Sequence, residues 1–419
     1  MSFEGPDQAY VWIWLPGSEQ PVVAGRLDEA GGEVTFVYGQ SYLDRGDRIP
    51  IYTPELPMAE GRLRPLSELS VPGCILDAGP DAWGQRVIMN RLLGPAGRET
   101  DPIDLGILTF LLESGSDRIG ALDFQASPTE YVAREPKAAT LEELATSAER
   151  VEAGVPLTPA LDEALLRGSS IGGARPKALI DDGSRGQIAK FSSSTDTIAV
   201  VQGEYVAMEL ARRAGLDVAP VRMTNALGKT VLLVERFDRV AGAGERRALV
   251  SALTMLELNE LAARWASYAD LAQIMRERFA EPAKSLRELF ARITFNILVG
   301  NTDDHARNTA AFWDGQTLSL TPAYDICPQL RSGGEAAQAM IIGDDTDPFK
   351  LSQVAGCVQR AHVYQLGQPE AKEIVDHQIE TIEESWDDVC DQAELPPAER
   401  ERFWGRQFLN PFALEGYRS

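Results

Sequence analysis

Alternating and periodic apolar positions divide the first part of the chain into strand-like and helix-like segments. Residues 9–15 and 34–38 are rich in aromatic and β-branched side chains, which predicts two strands. Helical spacing and turn residues predict helices over 81–93 and 103–112, and a short apolar run predicts a strand over 120–124. We therefore predict a mixed α/β unit at the N-terminus.

A polar, proline-containing segment, residues 126–139, follows this unit and is typical of a linker. The sequence after it mixes amphipathic helical patterns with short strand-like runs. The predicted helices lie over 141–153, 160–166 and 202–214, and the predicted strands over 178–180, 187–191 and 230–237.

From residue 251 onward the apolar positions mainly follow helical spacing. Leu286, Leu289, Phe290 and Ile293 fall on one helical face, so we expect this helix to pack against a core. Residues 370–399 carry acidic side chains at most of their polar positions. They predict a solvated helix face, with a docking surface for a basic partner as the alternative.

The composition is that of an acidic globular protein. The 419 residues include 40 Lys and Arg and 63 Asp and Glu, which gives a net charge of −23. No basic cluster is evident that would neutralise nucleic-acid phosphates, so we do not expect direct nucleic-acid binding. No apolar run approaches the roughly 20 residues that span a bilayer, and the N-terminal sequence lacks the features of a secretory signal. We therefore expect a cytoplasmic protein without membrane contact.

The segment GNTDDHARN, residues 300–308, carries the first candidate catalytic residues. Asp303 and Asn308 are five positions apart, the spacing at which protein kinases place a catalytic Asp and a metal-binding Asn. An Asp at this position orients the acceptor hydroxyl and accepts its proton, while an Asn side-chain oxygen can bind a hard cation such as Mg²⁺. A polar surface turn is the alternative interpretation of this segment taken alone.

A second acidic residue follows in the segment PAYDICP, residues 322–328. Between the two segments, residues 310–320 contain an Asp-Gly turn and predict a β-hairpin. In kinases, a second Asp after such a hairpin holds the Mg²⁺ that bridges the nucleotide phosphates, and Asp325 takes that place here. The alternative, an Asp that only caps a turn, is less favoured once both segments are considered together.

Upstream, a Gly-Gly pair and a lysine indicate phosphate binding. Gly172 and Gly173 lie just before a predicted strand, and small residues let backbone N–H groups approach phosphate oxygens closely. Lys190 lies on the next predicted strand, in the manner of the lysine on the third strand of kinases. Taken alone, Lys190 would more commonly be an edge-strand lysine.

In this order, the motifs resemble those of the HipA family, the serine/threonine kinase toxins of bacterial HipBA-type toxin–antitoxin systems. The resemblance covers almost the whole chain and includes GSDRIGALDF at 115–124 and Val-Glu-Arg-Phe at 234–237. It implies an α+β, bilobed protein-kinase-like fold with an additional N-terminal α/β subdomain. The implied domains are that subdomain at 1–125, a small kinase lobe with phosphate loop and hinge at 126–250, and a mostly helical large lobe with the catalytic loop at 251–419.

The resemblance also implies ATP and Mg²⁺ as cofactors and assigns roles to individual residues. Asp303 would be the catalytic base, and Asn308 and Asp325 would hold the metal. The residues expected at the nucleotide are Gly172, Gly173, Ala174, Arg175, Pro176 and Lys177 in the phosphate loop, Lys190 at the phosphates, Glu235, Arg236 and Phe237 at the adenine, and His305, Ala306, Arg307, Asn308, Tyr324 and Asp325 along the nucleotide.

Substrate, regulation and partners are implied in the same way. Such a kinase would phosphorylate a protein serine, with glutamyl-tRNA synthetase as the best-known target, and inhibit growth. Ser170, or the adjacent Ser169, takes the place of the loop serine whose autophosphorylation inactivates these kinases, because a phosphate of about −1.5 to −2 charge would repel the ATP phosphates. The expected partner is a HipB-like helix-turn-helix antitoxin, through which the complex would bind operator DNA.

Two other functions fit part of the pattern. A small-molecule kinase of the choline or aminoglycoside type shares the Asp–Asn spacing but normally lacks the N-terminal unit. A catalytically silent nucleotide-binding module would have no need of intact Lys190, Asp303, Asn308 and Asp325. We therefore expect an active protein-serine kinase, whose target specificity depends on surfaces that these motifs do not encode.

Overall fold

The computed structural model describes most of the chain. The described residues are 5–66, 68–98, 100–134, 139–153, 155, 175–180, 186–193, 196–240, 242, 244–331, 333–344 and 346–418. The helix predicted over 160–166 and the loop residues Ser169, Ser170, Gly172, Gly173 and Ala174 lie outside them. The chain divides into two compact units: a first unit of residues 1–195, 224–250 and 313–316, and a second unit of residues 196–223, 251–312 and 317–419. The three-domain division made from the sequence remains a prediction.

A five-stranded sheet organises the N-terminal part of the first unit. Its strands are β1 (Gln8–Ile13), β2 (Val22–Ala30), β3 (Glu33–Tyr38), β4 (Arg62–Leu63) and β5 (Leu122–Gln125). They pair in the order β4-β3-β2-β1-β5, and all the pairs are antiparallel. The helices of this part are α1 (Gln40–Leu43), α2 (Gly73–Leu76), α3 (Ala82–Leu93) and α4 (Ile107–Glu113).

A four-stranded sheet of order β6-β7-β9-β8 follows in the chain. Its strands are β6 (Lys177–Ile180), β7 (Gln187–Phe191), β8 (Val221–Ala226) and β9 (Lys229–Glu235). Buried side chains of α3 and of α5 (Leu141–Ala153), among them Trp83 and Leu144, share one core cluster with Ala178, Phe191 and Leu233 of this sheet. Burial of these apolar side chains is the main stabilising term for the sheet that carries Lys190.

The single helix predicted over 103–112 is wrong. A 3₁₀ turn covers Pro102–Leu105, and α4 begins only at Ile107. Gly106 between them has φ +73° and ψ 150°, so it interrupts the helical path. Glycine adopts this conformation without the steric cost that a Cβ atom would add.

The segment predicted as a linker has no regular secondary structure over residues 126–134, but it is not independent of the unit. The hydroxyl of Tyr131 donates to Asp123 Oδ2 at 3.0 Å, and Arg134 Nη2 donates to Asp123 Oδ1 at 2.8 Å. These contacts tie the segment to the end of the first sheet.

The second unit is built mainly from helices. They are α6 (Val200–Arg213), α7 (Ala252–Met255), α8 (Tyr268–Arg278), α9 (Pro282–Leu298), α10 (Val354–Gln359), α11 (Gln368–Gln392), α12 (Pro397–Phe403) and α13 (Pro411–Leu414). A three-stranded sheet of order β10-β11-β12 comprises Leu249–Ser251, Ala310–Trp313 and Leu318–Leu320, which confirms the predicted hairpin. Among the described residues, no helix is both long and apolar enough to cross a membrane.

The helix predicted from Leu286, Leu289, Phe290 and Ile293 is confirmed as α9, which packs against α8 and α11. All four side chains are buried. Polar contacts add to this packing, because Gln378 Nε2 of α11 donates to the carbonyl of Ala291 at 2.7 Å. The helix is therefore a well-fixed support for the loop that follows it.

A buried ion cluster in the first unit makes acid stability testable. Arg236 donates to both carboxylate oxygens of Asp238, at 3.0 and 2.8 Å, and Arg239 Nη1 lies 2.8 Å from Asp238 Oδ2. Burial by itself raises the pKa of Asp238, but the positive charges of Arg236 and Arg239 outweigh it and lower the pKa from 3.8 to about 2. The ionised carboxylate is thus stabilised more in the folded than in the unfolded chain.

We expect the Asp238 contribution to the free energy of unfolding, about 2 kcal/mol, to be present above about pH 4 and lost as the pH falls towards about 2. Denaturant titrations at a series of pH values measure this loss. Asp238→Asn has no titrating group at this position. Its free energy of unfolding should therefore fall less over the same pH range, by about 2 kcal/mol. An equal loss in both proteins would contradict the prediction.

Candidate active site

The loop that carries Asp303 begins just after α9, where a glycine makes a tight turn. Gly300 has φ +70°, and a Cβ atom there would lie 2.7 Å from the carbonyl oxygen of Gln407. A larger residue would force the backbone to shift. The Gly300 carbonyl also accepts a hydrogen bond from the backbone N–H of Gln329 at 3.0 Å. This turn therefore fixes the start of the loop against two other segments of the second unit.

Hydrogen bonds within the loop hold Asp303 and Asn308 in a compact turn. The Asp303 carbonyl accepts from the backbone N–H of His305 at 2.8 Å and from Asn308 Nδ2 at 3.2 Å. Residues Ala306–Asn308 form a single 3₁₀ turn. Because the amide nitrogen of Asn308 is used as this donor, its amide oxygen is the atom left to bind a cation.

The carboxyl group of Asp303 is exposed, yet the surrounding protein partly removes it from water. Burial raises the pKa of this group, the charge of His305 opposes the increase, and the negative charge of Asp325 adds to it. The carboxyl groups of Asp303 and Asp325 therefore lie close enough for their charges to interact. Two such carboxylates attract a cation.

The segment that carries Asp325 is joined to the same loop. Asn301 Nδ2 lies 3.4 Å from the carbonyl oxygen of Asp325, and the hydroxyl of Tyr324 donates to the carbonyl of Arg307 at 2.7 Å. Asp325 has φ +59°, a left-handed conformation that is uncommon for residues other than glycine. Residues held in such conformations are concentrated at functional sites, where the surrounding structure enforces them.

A buried polar network connects this loop to helices α8 and α9. Asp304 is 6% exposed, and its Oδ2 accepts from the hydroxyl of Tyr268 on α8 and, at 2.8 Å, from Asn296 Nδ2 on α9. Asn301 Nδ2 then donates to Asn296 Oδ1 at 2.9 Å. The network thus runs from two helices through Asn301 to the backbone of Asp325.

Four residues of this network were not predicted from the sequence: Tyr268, Asn296, Asn301 and Asp304. The available sign was weak: Asn296 interrupts the apolar face of a helix that was predicted to face the core. A buried polar group needs hydrogen-bond partners, so a polar network around Asn296 could have been predicted, although its other members could not.

Two further loop residues of the predicted nucleotide site differ in their surroundings. His305 is half-buried, and its Nδ1 is buried without a hydrogen-bond partner among the described residues. Arg307 forms an ion pair with Glu260. The imidazole therefore retains a polar atom for a ligand, whereas the guanidinium of Arg307 already has a partner.

In the first unit, two predicted phosphate-binding lysines are neighbours. Lys177 on β6 lies directly opposite Lys190 on β7 in an antiparallel pair, so both side chains emerge on the same face of the sheet. Lys177 is buried, with its Nζ 3.8 Å from Asp81 Oδ2. Two ammonium groups thus lie on one face of the sheet, where a bound phosphate would be favourable.

The other predicted residues of the first unit have mixed surroundings. The Pro176 carbonyl accepts from the backbone N–H of Phe191 at 3.0 Å, which fixes the end of the predicted phosphate loop next to β7. Arg175, Glu235 and Phe237 are half-buried. Arg236 is 2% exposed and its side chain is held in the ion cluster with Asp238, so a contact of this residue with adenine would have to involve its main chain.

Two family models of known proteins match this chain. Residues 13–125 match the model for the HipA N-terminal domain, and residues 169–386 match the model for the HipA-like C-terminal domain. The chain belongs to the HipA family. This confirms the family predicted from the order of the sequence motifs.

Individual HipA-family relatives are distant. The chain is 26% identical over 341 residues to a Sinorhizobium fredii protein named "Putative kinase Y4mE", which covers 75% of this chain and 76% of that protein. It is also 26% identical over 209 residues to the serine/threonine-protein kinase toxin HipA of Shewanella oneidensis, which covers 43% of this chain and 48% of that protein.

A solved structure shows the HipA fold. HipA in a complex with HipB and operator DNA, from Shewanella oneidensis MR-1, matches with a TM-score of 0.67 and 19% identity, over 96% of this chain and 99% of that chain. The predicted HipA-like, kinase-type fold is therefore confirmed. The roles of the individual site residues remain predictions.

Proposed function

We propose that this HipA-family chain is a serine/threonine protein kinase toxin of a toxin–antitoxin module, and that it transfers the γ-phosphate of ATP to a protein serine. The observation that carries the proposal is that the turn holding Asp303 and Asn308 is linked, through hydrogen bonds of Asn301 and Tyr324, to the segment that carries Asp325. The names of the relatives, a kinase and a kinase toxin, support it.

In the proposed reaction, the residues of this chain mainly position the two substrates and stabilise the charge on the transferred phosphate. Asp303 orients the acceptor hydroxyl and accepts its proton as the hydroxyl oxygen bonds to the γ-phosphorus of ATP. The bond from that phosphorus to the bridging oxygen breaks at the same time, and ADP leaves with that oxygen. Lys190, next to Lys177, binds phosphate oxygens of ATP. The catalytic loop is held rigid by the network through Asp304, which keeps Asp303 at a fixed position.

The oxygen donors suit Mg²⁺. The amide oxygen of Asn308 and the carboxylate of Asp325 are hard ligands. No group of three or more His, Cys, Asp or Glu that could enclose a metal occurs within the described part of the chain. Mg²⁺ is usually bound through one or two carboxylates together with substrate phosphates. When bound, the ion neutralises charge on the transferred phosphate.

The partner and regulation are part of the proposal. We propose a HipB-like helix-turn-helix antitoxin that carries the contact with operator DNA, in keeping with the net charge of −23 and with the HipB and operator DNA in the matched complex. Autophosphorylation at Ser170, or at Ser169, would inactivate the kinase. Glutamyl-tRNA synthetase is the first protein substrate to test, and the cytoplasm is the proposed location.

Purified protein incubated with labelled ATP and Mg²⁺, followed by mapping of the phosphorylated residues, tests the activity. We expect label on a serine of the protein itself or of added glutamyl-tRNA synthetase. The intact mass of untreated protein shows whether it was already phosphorylated during expression. Unphosphorylated protein that binds nucleotide without transfer would overturn the proposal, and transfer only to choline or an aminoglycoside would replace it with a small-molecule kinase.

The hydrogen bond between Asn301 and the backbone of Asp325 predicts an effect on the Mg²⁺ dependence of phosphate transfer. We expect Asn301→Ala to lower phosphate transfer about tenfold and to raise the Mg²⁺ concentration needed for half-maximal activity, because the backbone that carries Asp325 loses a hydrogen bond. Mg²⁺ titrations of the initial rate measure this shift. The control is Asn259→Ala, since Asn259 caps a surface turn by accepting from the N–H of Ala262. An unchanged Mg²⁺ dependence in Asn301→Ala would contradict the expected role.

A further inference from the structure

The second unit contains an arginine whose guanidinium has no hydrogen-bond partner among the residues that the structure describes. All three guanidinium nitrogens of Arg331 are buried, and none has a hydrogen-bond partner among the described residues. Other arginines in that part of the chain, such as Arg278 and Arg360, leave one such nitrogen unpaired at most. Burial lowers the pKa of Arg331, and no carboxylate opposes this effect.

Such a group is costly unless a ligand supplies the missing contacts. A buried guanidinium carries five N–H donors and a full positive charge, and buried charges in proteins are normally paired. In a chain with a net charge of −23, an arginine without a carboxylate partner is especially notable. The planar fork of N–H groups matches the oxygens of a phosphate or a carboxylate.

Arg331 also lies close in sequence to the candidate active site, on a segment that contacts the start of the Asp303 loop. It follows Asp325 by six residues. Two residues before it, Gln329 donates its N–H to the carbonyl of Gly300 at 3.0 Å, and its own carbonyl lies 3.4 Å from Gln407 Nε2. The segment that leads to Arg331 is therefore anchored at the start of the loop that carries Asp303.

We infer that the guanidinium of Arg331 binds an oxyanion at the candidate active site. The oxyanion is either a phosphate of the nucleotide or an acidic group of the protein acceptor. Only this choice between two origins rests on the proposed kinase function. Both present the same oxygens to the fork of N–H donors, so binding measurements must distinguish them.

The experiment uses the full chain with Arg331→Met, Arg331→Lys and the control Arg287→Met. Arg287 is an exposed arginine of the same unit that pairs with Glu370. Binding of pyrophosphate, of the non-hydrolysable ATP analogue AMP-PNP, and of a serine peptide flanked by glutamates is measured by calorimetry. Thermal unfolding is followed without and with pyrophosphate.

We expect Arg331→Met to weaken pyrophosphate binding about tenfold or more, since charge-assisted hydrogen bonds are lost. Arg331→Lys should fall between it and wild type, because the charge remains without the fork. Without anion, Arg331→Met should unfold at a higher temperature than wild type, as an unpaired buried charge has been replaced by an apolar chain of similar length. Arg287→Met should show neither change.

The remaining ligands identify the source. An equal loss for AMP-PNP assigns the oxyanion to the nucleotide, whereas a loss confined to the glutamate-flanked peptide assigns it to the acceptor. Wild-type binding of all three probes by Arg331→Met would overturn the inference. Because these are binding measurements, a protein that binds them through Arg331 but transfers no phosphate would refute only the proposed kinase activity.

Discussion

Asp303→Asn is expected to lower phosphate transfer by about 10²- to 10⁴-fold, the range contributed by a general base, and to leave the fold intact. The amide keeps the shape of the carboxylate but cannot accept the acceptor proton. The contacts that shape the loop use the Asp303 carbonyl rather than its side chain, so they survive the substitution. Initial rates with labelled ATP and circular dichroism of both proteins measure the two parts of this result.

A matched control separates catalysis from surface charge. Asp391 is an exposed carboxylate of the second unit that pairs with Arg400, and it is not among the residues predicted to bind nucleotide, metal or acceptor hydroxyl. Asp391→Asn removes one negative charge, as Asp303→Asn does, and should transfer phosphate at the wild-type rate. If Asp303→Asn also retained a rate near that of wild type, the assignment of Asp303 as the base would be refuted.

The largest expected effect on stability follows from Asp123→Ala in the first unit. Its carboxylate and the guanidinium of Arg118 are both 0% exposed, and Arg118 Nε lies 2.7 Å from Asp123 Oδ1. Further donors surround this carboxylate: Arg134 Nη2 at 2.8 Å, the backbone N–H of Phe124 at 2.8 Å, Gln125 Nε2 at 2.9 Å and the Tyr131 hydroxyl at 3.0 Å. Truncation leaves a fully buried positive charge without its partner.

We expect the free energy of unfolding to fall by about 3–5 kcal/mol, the cost of removing one member of a buried ion pair. Denaturant titrations followed by circular dichroism give this difference. The control is Asp47→Ala, because Asp47 pairs with Arg45 at the surface and such pairs contribute little. A loss as small in Asp123→Ala as in Asp47→Ala would mean that water reaches Arg118 and replaces the carboxylate.

The fold was predictable where local pattern and tertiary environment agree. The core-facing helix α9 follows from the spacing of Leu286, Leu289 and Phe290, and the hairpin at 310–320 follows from its Asp-Gly turn. The prediction of one helix over 103–112 failed. The apolar pattern is continuous there, but the positive φ of Gly106 ends the 3₁₀ turn before α4 begins. Periodicity does not reveal a backbone break of this kind.

For the candidate site, the sequence predicted chemical groups but not how the protein holds them. The spacing of Asp303 and Asn308 and the later Asp325 predicted a base and cation ligands, because phosphoryl transfer to a hydroxyl needs a base and a bound cation, and these roles remain predictions. The sequence did not indicate that Asn301 would join the two segments or that Asp304 would be buried on Tyr268. Those contacts involve residues that are far apart in the chain and of common polar types.

By itself, the sequence determined which chemical groups are present, their order along the chain and, through that order, the HipA family. It did so because catalytic loops are short and keep their residue types at fixed spacing. Only the tertiary structure decided which polar residues are satisfied by the protein. Asp304 Oδ2 accepts two hydrogen bonds in a buried network, whereas the three buried guanidinium nitrogens of Arg331 have no hydrogen-bond partner in the described chain. That difference depends on burial and on neighbours from distant segments, and a linear pattern does not encode either.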